Sequence, residues 1–166
     1  MNLFIYPMIQ RIQTIWLLLA SVTILALFLF PYVQYIDTNG IAMALKVTGK
    51  LDSAGGQNQL NTSFVFVLQT IATVLLGFLP LLTIAQYKNR KKQVSFILIT
   101  IVLVLLFALW LYIAANNALI EVSKTLNLSN IGIGTLLIPI NLIFLILALK
   151  GVKKDIKLIR SVDRLR

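Results

Sequence analysis

Apolar residues run along this chain in long blocks separated by short clusters of charge. Residues 12–36, 93–120 and 125–149 hold no Asp, Glu, Lys or Arg, and the run FVFVLQTIATVLLGFLPLLTIAQY lies inside a further uncharged window, 53–87. A hydrocarbon core of roughly 30 Å is crossed by about 20 helical residues, and each block is long enough. The pattern predicts transmembrane helices near 14–32, 64–85, 94–115 and 131–149, with an outer loop over 33–63. The expected fold class is an all-α membrane protein: a four-transmembrane-helix bundle over residues 1–149, a small β-hairpin in the first outer loop, and an amphipathic cytoplasmic helix in the basic tail, 150–166.

The hairpin rests on YVQYIDTNGIAMALKVTGKL, where two extended runs flank Asn39-Gly40, a strong short-range turn signal. A two-stranded hairpin is marginal in water, so it is expected to rest on the outer helix ends or on a partner. The following SAGGQNQLNTS has the composition of a flexible connector, and NNALIEVSKTLNLSN reads as a short link between the third and fourth helices. The first apolar run, Ile15 to Phe30, exceeds the usual signal-peptide core and meets no A-x-A cleavage pattern, so it is expected to stay as an anchor.

Composition agrees with a lipid environment. The chain is 59% hydrophobic and 12% charged, more apolar surface than a soluble domain of this size can bury. Of its 15 Lys and Arg, all but Lys46, Lys50 and Lys124 fall on one side if both termini are cytoplasmic: Arg11, the YKNRKKQ loop with Lys88, Arg90, Lys91 and Lys92, and the tail. The three outer lysines face Asp37, Asp52 and Glu121. This is the positive-inside pattern, and it accounts for the net charge of +10 without nucleic acid. Trp16, Tyr32, Tyr35, Tyr87, Trp110 and Tyr112 are expected at the headgroup level as an aromatic belt.

The second segment carries more polar and small residues than the third, which reads as the more lipid-exposed; the second is expected to be the interior helix. Gln69, Thr73, Gly77, Pro80, Pro139 and Asn141 are the candidate helix-packing groups. Pro80 and Pro139 each leave a carbonyl one turn earlier without its helical donor, as a kink or as a hinge of the kind transporters use. No ionisable residue lies inside any segment, and the chain has neither histidine nor cysteine. Proton relays, histidine-held haem, thiolate metal sites and histidine catalysis therefore have no carriers, and no cofactor, metal or catalytic residue is expected.

MIQRIQTIWLLLA (8–20), YKNRKKQ (87–93), IGIGTLLIPINLIFLILALKGVKKD (131–155) and LIRSVDRLR (158–166) together resemble a bacterial family of four-helix inner-membrane proteins of unknown function. In that family MIQRIQ opens the chain, a KNRK-type loop follows the second helix, and K-D-E-x-L-[VI]-R-S-x-D-R-L-R closes it. Here Ile156 stands where the pattern has an acid, and residues 1–7 precede the family's usual start, as an alternative initiation site would leave them. The resemblance implies a Gram-negative inner membrane and no particular activity.

The tail has more pattern than orientation requires. Val152, Ile156, Ile159, Val162 and Leu165 form an apolar stripe on a helix whose other faces carry Lys153, Lys154, Lys157, Arg160, Arg164 and Arg166. These cations and Ile156, Ile159 and Val162 are the candidate contacts, either with anionic lipid or with protein, including the KNRKK loop. The expected role is a non-catalytic accessory or scaffold subunit of a bacterial inner-membrane complex, with the bilayer and an integral-membrane partner or second copy as its contacts. The alternative is a small-molecule or lipid transporter built around Gln69, Gly77, Pro80, Pro139 and Asn141. An enzyme is disfavoured because Asp37, Asp52, Glu121, Asp155 and Asp163 show no catalytic spacing.

Overall fold

The computed structural model describes residues 5–163 apart from Thr38, Gly55, Gly56, Lys88 and Lys124, with side chains from Ile12 to Leu158 except those of Ala54, Gln57 and Asn58. Four helices and a four-stranded antiparallel sheet follow one another as α1 (Ile5–Leu25), β1 (Val33–Ile36), β2 (Ala42–Lys46), β3 (Gly49–Ala54), β4 (Gln57–Asn61), α2 (Phe64–Ala85), α3 (Arg90–Ile120) and α4 (Ile133–Asp163). Three of them, α2, α3 and α4 up to Leu158, are long and apolar enough to cross a membrane. The described apolar part of α1 and the 3-10 turn after it, Ile12–Phe28, is shorter.

The helices pack in sequence, α1 on α2, α2 on α3, α3 on α4, and α4 back on α1. Each buries one stripe at alternating spacings of three and four residues, the spacing that keeps a seam turned toward a neighbouring helix. On α1 the stripe is Gln13, Leu17, Ala20 and Ile24, continued by Leu27 in the 3-10 turn; on α2 it is Gln69, Thr73, Leu76, Pro80 and Thr83. On α3 it runs Gln93, Ile97, Thr100, Val104, Phe107 and Leu111, and on α4 Ile138, Asn141, Leu145, Ala148, Val152 and Asp155. Polar side chains thus lie on the seams while Leu, Ile, Val and Phe cover the outside, as lipid requires.

Two sequence expectations change. The helix with the most extensive packing is α1, not α2, because α1 meets both α4 and α2 along most of its length. The outer face of α2 is apolar and exposed, with Phe64, Ile71, Leu75 and Phe78 turned outward. The tail is also no separate helix: α4 continues from Ile133 to Asp163, and its seam crosses the 149/150 boundary without a break.

The sheet is a simple meander in the order β1-β2-β3-β4. The expected hairpin is its first half, with Ile36 paired to Ala42 and a turn in which Gly40 takes φ +76°, a conformation glycine adopts at no steric cost. The expected connector after it is instead β3 and β4, paired from Lys50↔Asn61 to Ala54↔Gln57. One face of β1 and β2 carries Val33, Tyr35, Met43 and Leu45, which pack into the core at the helix ends. On the same face β3 and β4 carry Lys50, Asp52, Gln59 and Asn61, and Asn61 Nδ2 donates to Asp52 Oδ2 at 2.8 Å. The apolar half packs into the core, and from the polar half Lys50 reaches the end of α3.

Candidate functional site

The end of the molecule opposite the sheet carries the tail. Asn89 caps α3 by accepting from the Lys92 amide at 3.4 Å, and the first helical residue, Arg90, reaches across to α4. Its guanidinium donates to Asp155 Oδ2 in an ion pair that leaves the Arg90 and Asp155 side chains only 18% and 8% exposed. Asp155 occupies the next seam position after Val152, where an unpaired carboxylate would be costly. Around the pair, Gln13, Gln93 and Val152 are buried, and Gly151 lies so close to α1 that a Cβ there would stand 2.8 Å from Gln13 Cγ.

Outside this seam the lysines are turned to solvent. Lys91, Lys92, Lys150, Lys153, Lys154 and Lys157 are all exposed, and Ile156 is half-buried against the core. Of the candidate tail contacts, Lys153, Lys154, Ile156 and Lys157 thus stand on one ordered helix. The side chains of Ile159, Arg160 and Val162, and Arg164 and Arg166 altogether, lie outside the described residues. The feature sequence reasoning missed is Asp155. The apolar stripe drawn through Val152, Ile156 and Ile159 skipped it, although its signal was present: it falls three residues after Val152 in the seam that begins in the membrane segment.

The candidate packing groups divide into four kinds. Asn141 Nδ2 donates to the Ala20 carbonyl at 2.5 Å and Ser21 Oγ to the Gly77 carbonyl at 2.6 Å, joining α4 and α2 to α1 at one level. Thr73, by contrast, bonds back to the Gln69 carbonyl of its own helix at 2.7 Å and joins nothing. Gln69 is fully buried and faces the Tyr32 hydroxyl, but neither its Nε2 nor its Oε1 attains hydrogen-bond geometry. Pro80 is buried in its seam, whereas Pro139 is exposed and lines a cavity of about 210 Å³ between α3 and α4, with Ala108, Leu111, Tyr112 and Ile138.

This arrangement defines a membrane-type helical body with one basic end, and the residues that carry it are spread along the whole chain. Residues 9–165 match the family described as Domain of unknown function (DUF4293). The chain belongs to that family. No curated protein and no solved structure matches it. In this DUF4293 chain the match takes in the Arg90–Asp155 pair, all four seams and the sheet. Among the described residues no group of three or more His, Cys, Asp or Glu is placed to hold a metal ion.

The sheet end of the DUF4293 chain is held by polar ties. Tyr32 N donates to the Leu45 carbonyl at 2.9 Å, and the Tyr32 carbonyl accepts from Thr135 Oγ1 at 2.6 Å and Gly132 N at 3.0 Å. Thr70 Oγ1 donates to the Val47 carbonyl at 3.0 Å. Lys50 reaches Glu121 at the end of α3 at 3.5 Å and stands 6.0 Å from the centre of the Tyr35 ring. Burial raises the pKa of Tyr35 more than the nearby Lys50 lowers it. Burial also pulls Lys50 down, but Tyr35 and Glu121 outweigh it and leave Lys50 above its ordinary value. Tyr32 and Tyr35 are accordingly buried under the sheet and are not belt residues, while Tyr87 and Tyr112 are exposed. Trp16 stacks on Phe144 at 5.7 Å and Trp110 meets Phe107 edge-on at 6.3 Å.

Proposed function

We propose that the chain is a non-catalytic accessory or scaffold subunit of a bacterial inner-membrane complex. In this reading it is a four-helix bundle that crosses the membrane four times, with both termini and the basic end cytoplasmic. The fourth span is the uncharged part of α1 with its 3-10 extension, Ile12–Phe28, about 26 Å at 1.5 Å per residue. The observation that carries the role is the continuation of α4 as one helix beyond its apolar part. Arg90 holds Asp155 in the seam, so Lys153, Lys154 and Lys157 are offered outward on a fixed helix where orientation alone needs only loose charge.

Affinity purification in mild detergent tests it. A stoichiometric integral-membrane partner is expected, retained by the wild type and reduced when Lys153, Lys154 and Lys157 are replaced by Gln with insertion unchanged. A homogeneous preparation with no other protein in stoichiometric amount contradicts the role. Partner retention unaffected by the substitutions moves the contact away from the tail and leaves those lysines to anionic headgroups.

A small-molecule or lipid transporter is the second reading, favoured by the unpaired, fully buried Gln69 amide and by the cavity beside Pro139. It carries less because that cavity is lined almost wholly by apolar side chains, and because Asn141 and Ser21 are engaged in joining helices.

A further inference from the structure

We infer that β4 is a dimerisation edge. The β4 strands of two copies pair antiparallel with Gln59 opposite Gln59, joining two four-stranded sheets into one. The two edges of the sheet differ in kind. β1 is a closed edge: Val33 bridges to Ile131 in the link before α4, and Val33 and Tyr35 are buried. β4 forms the other edge, and no described residue pairs with its outer side.

Edges that stay single are usually guarded by Lys, Pro, a bulge or a covering element. β4 reads QNQLN, with neither charge nor proline. Its register with β3 runs unbroken from Gln57 to Asn61, so no bulge turns it aside. Gln59, Leu60 and Asn61 are all exposed, Leu60 by 49%.

Three observations select a second copy as the occupant. Amide side chains donate and accept, so a strand of Gln and Asn complements itself. The sheet sets Lys46 and Lys50 against Asp37 and Asp52, so two copies meet there without net repulsion, unlike at the basic end. The symmetry also fits. An antiparallel pair of identical strands has its two-fold axis normal to the sheet, and this sheet lies with its Val33, Tyr35 and Leu45 face on the helix ends. The axis therefore runs along the helices, and both copies keep one orientation in the membrane. The inference rests on that shared orientation and not on the accessory role, so failure to capture a partner leaves it standing.

Because the chain contains no cysteine, single cysteines report the contact cleanly. Directly opposed Cβ atoms in an antiparallel pair lie about 4.5–5.5 Å apart, close enough for disulfide formation after a small adjustment. In native membranes under mild oxidant, Gln59→Cys is expected to give about fivefold more disulfide dimer than Gln34→Cys, which is exposed on β1 at the opposite edge. Adding Leu60→Lys to Gln59→Cys places like charges beside the axis and is expected to remove most of that excess. Equal yields at Gln59 and Gln34 overturn the pairing, whatever the oligomeric state by other measures. An excess that survives Leu60→Lys undiminished overturns it as well.

Discussion

At the scale of residues, what decides the fold is which polar side chains found partners. Asn141 and Gln69 are both fully buried amides, yet only Asn141 joins two helices. Asn141→Leu is expected to lower stability by about 1 kcal/mol, the usual worth of an interhelical bond in a membrane protein. Gln69→Leu removes a buried amide whose atoms are unpaired and is expected to be neutral or stabilising. Thermal unfolding of the two variants in one detergent checks the contrast, and a larger loss for Gln69 gives that side chain a partner or ligand. The Arg90–Asp155 pair follows a stricter rule. Arg90→Leu leaves a carboxylate in the seam and is expected to cost roughly 3 kcal/mol, whereas the double replacement of Arg90 and Asp155 by Leu is expected to recover most of it. The same single substitution should make the chain beyond Leu149 sensitive to protease, and the double substitution should restore resistance.

The elements were unequally legible in the sequence, and the reason is what holds each one. α2 was read to its bounds because Ser63 and Gln86 enclose one uncharged, largely apolar run. α3 and α4 proved longer than their apolar cores, since helix hydrogen bonding continues through RKKQ at one end and KGVKKD at the other. The interior face of α3 was not legible at all: Leu and Ile surround it, and only packing picks out the seam from Gln93 to Leu111. β1 and β2 were announced by Asn39-Gly40 and by alternating apolar residues. β3 and β4 were missed because their pairing depends on backbone ladders and polar ties, which leave no hydrophobic period to read. Those ties have a pH dependence. Lys50 and Tyr35 both have raised pKa values in the folded state, so their contribution is complete below their ordinary values, 10.5 and 10.0, and declines as pH rises beyond them. Proteolysis within 37–61 should therefore stay slow up to about pH 10 and accelerate above it. Lys50→Gln should start less resistant and show a smaller step, and a step unchanged by that substitution would place its cause elsewhere.

Taken as a whole, the molecule is a polar-seamed helical body with a neutral sheet at one end and the cations at the other. The candidate site was legible as a region, since Lys153, Lys154 and Lys157 were named from the sequence and are exposed. Its geometry was not, because nothing local marks Arg90 and Asp155, 65 positions apart, as partners. The central claim is that the two ends lie on opposite sides of the membrane, with α1 as a true span. The most direct measurement labels single cysteines with an impermeant reagent in intact cells and in inside-out vesicles, using Gln34→Cys, Lys154→Cys and a cysteine placed before Ile5. The account predicts that Gln34→Cys reacts only from outside, while Lys154→Cys and the N-terminal cysteine react only from the cytoplasmic side. An N-terminal cysteine that shares the side of Gln34 would contradict it, reducing the molecule to three spans and removing α1 from the bilayer.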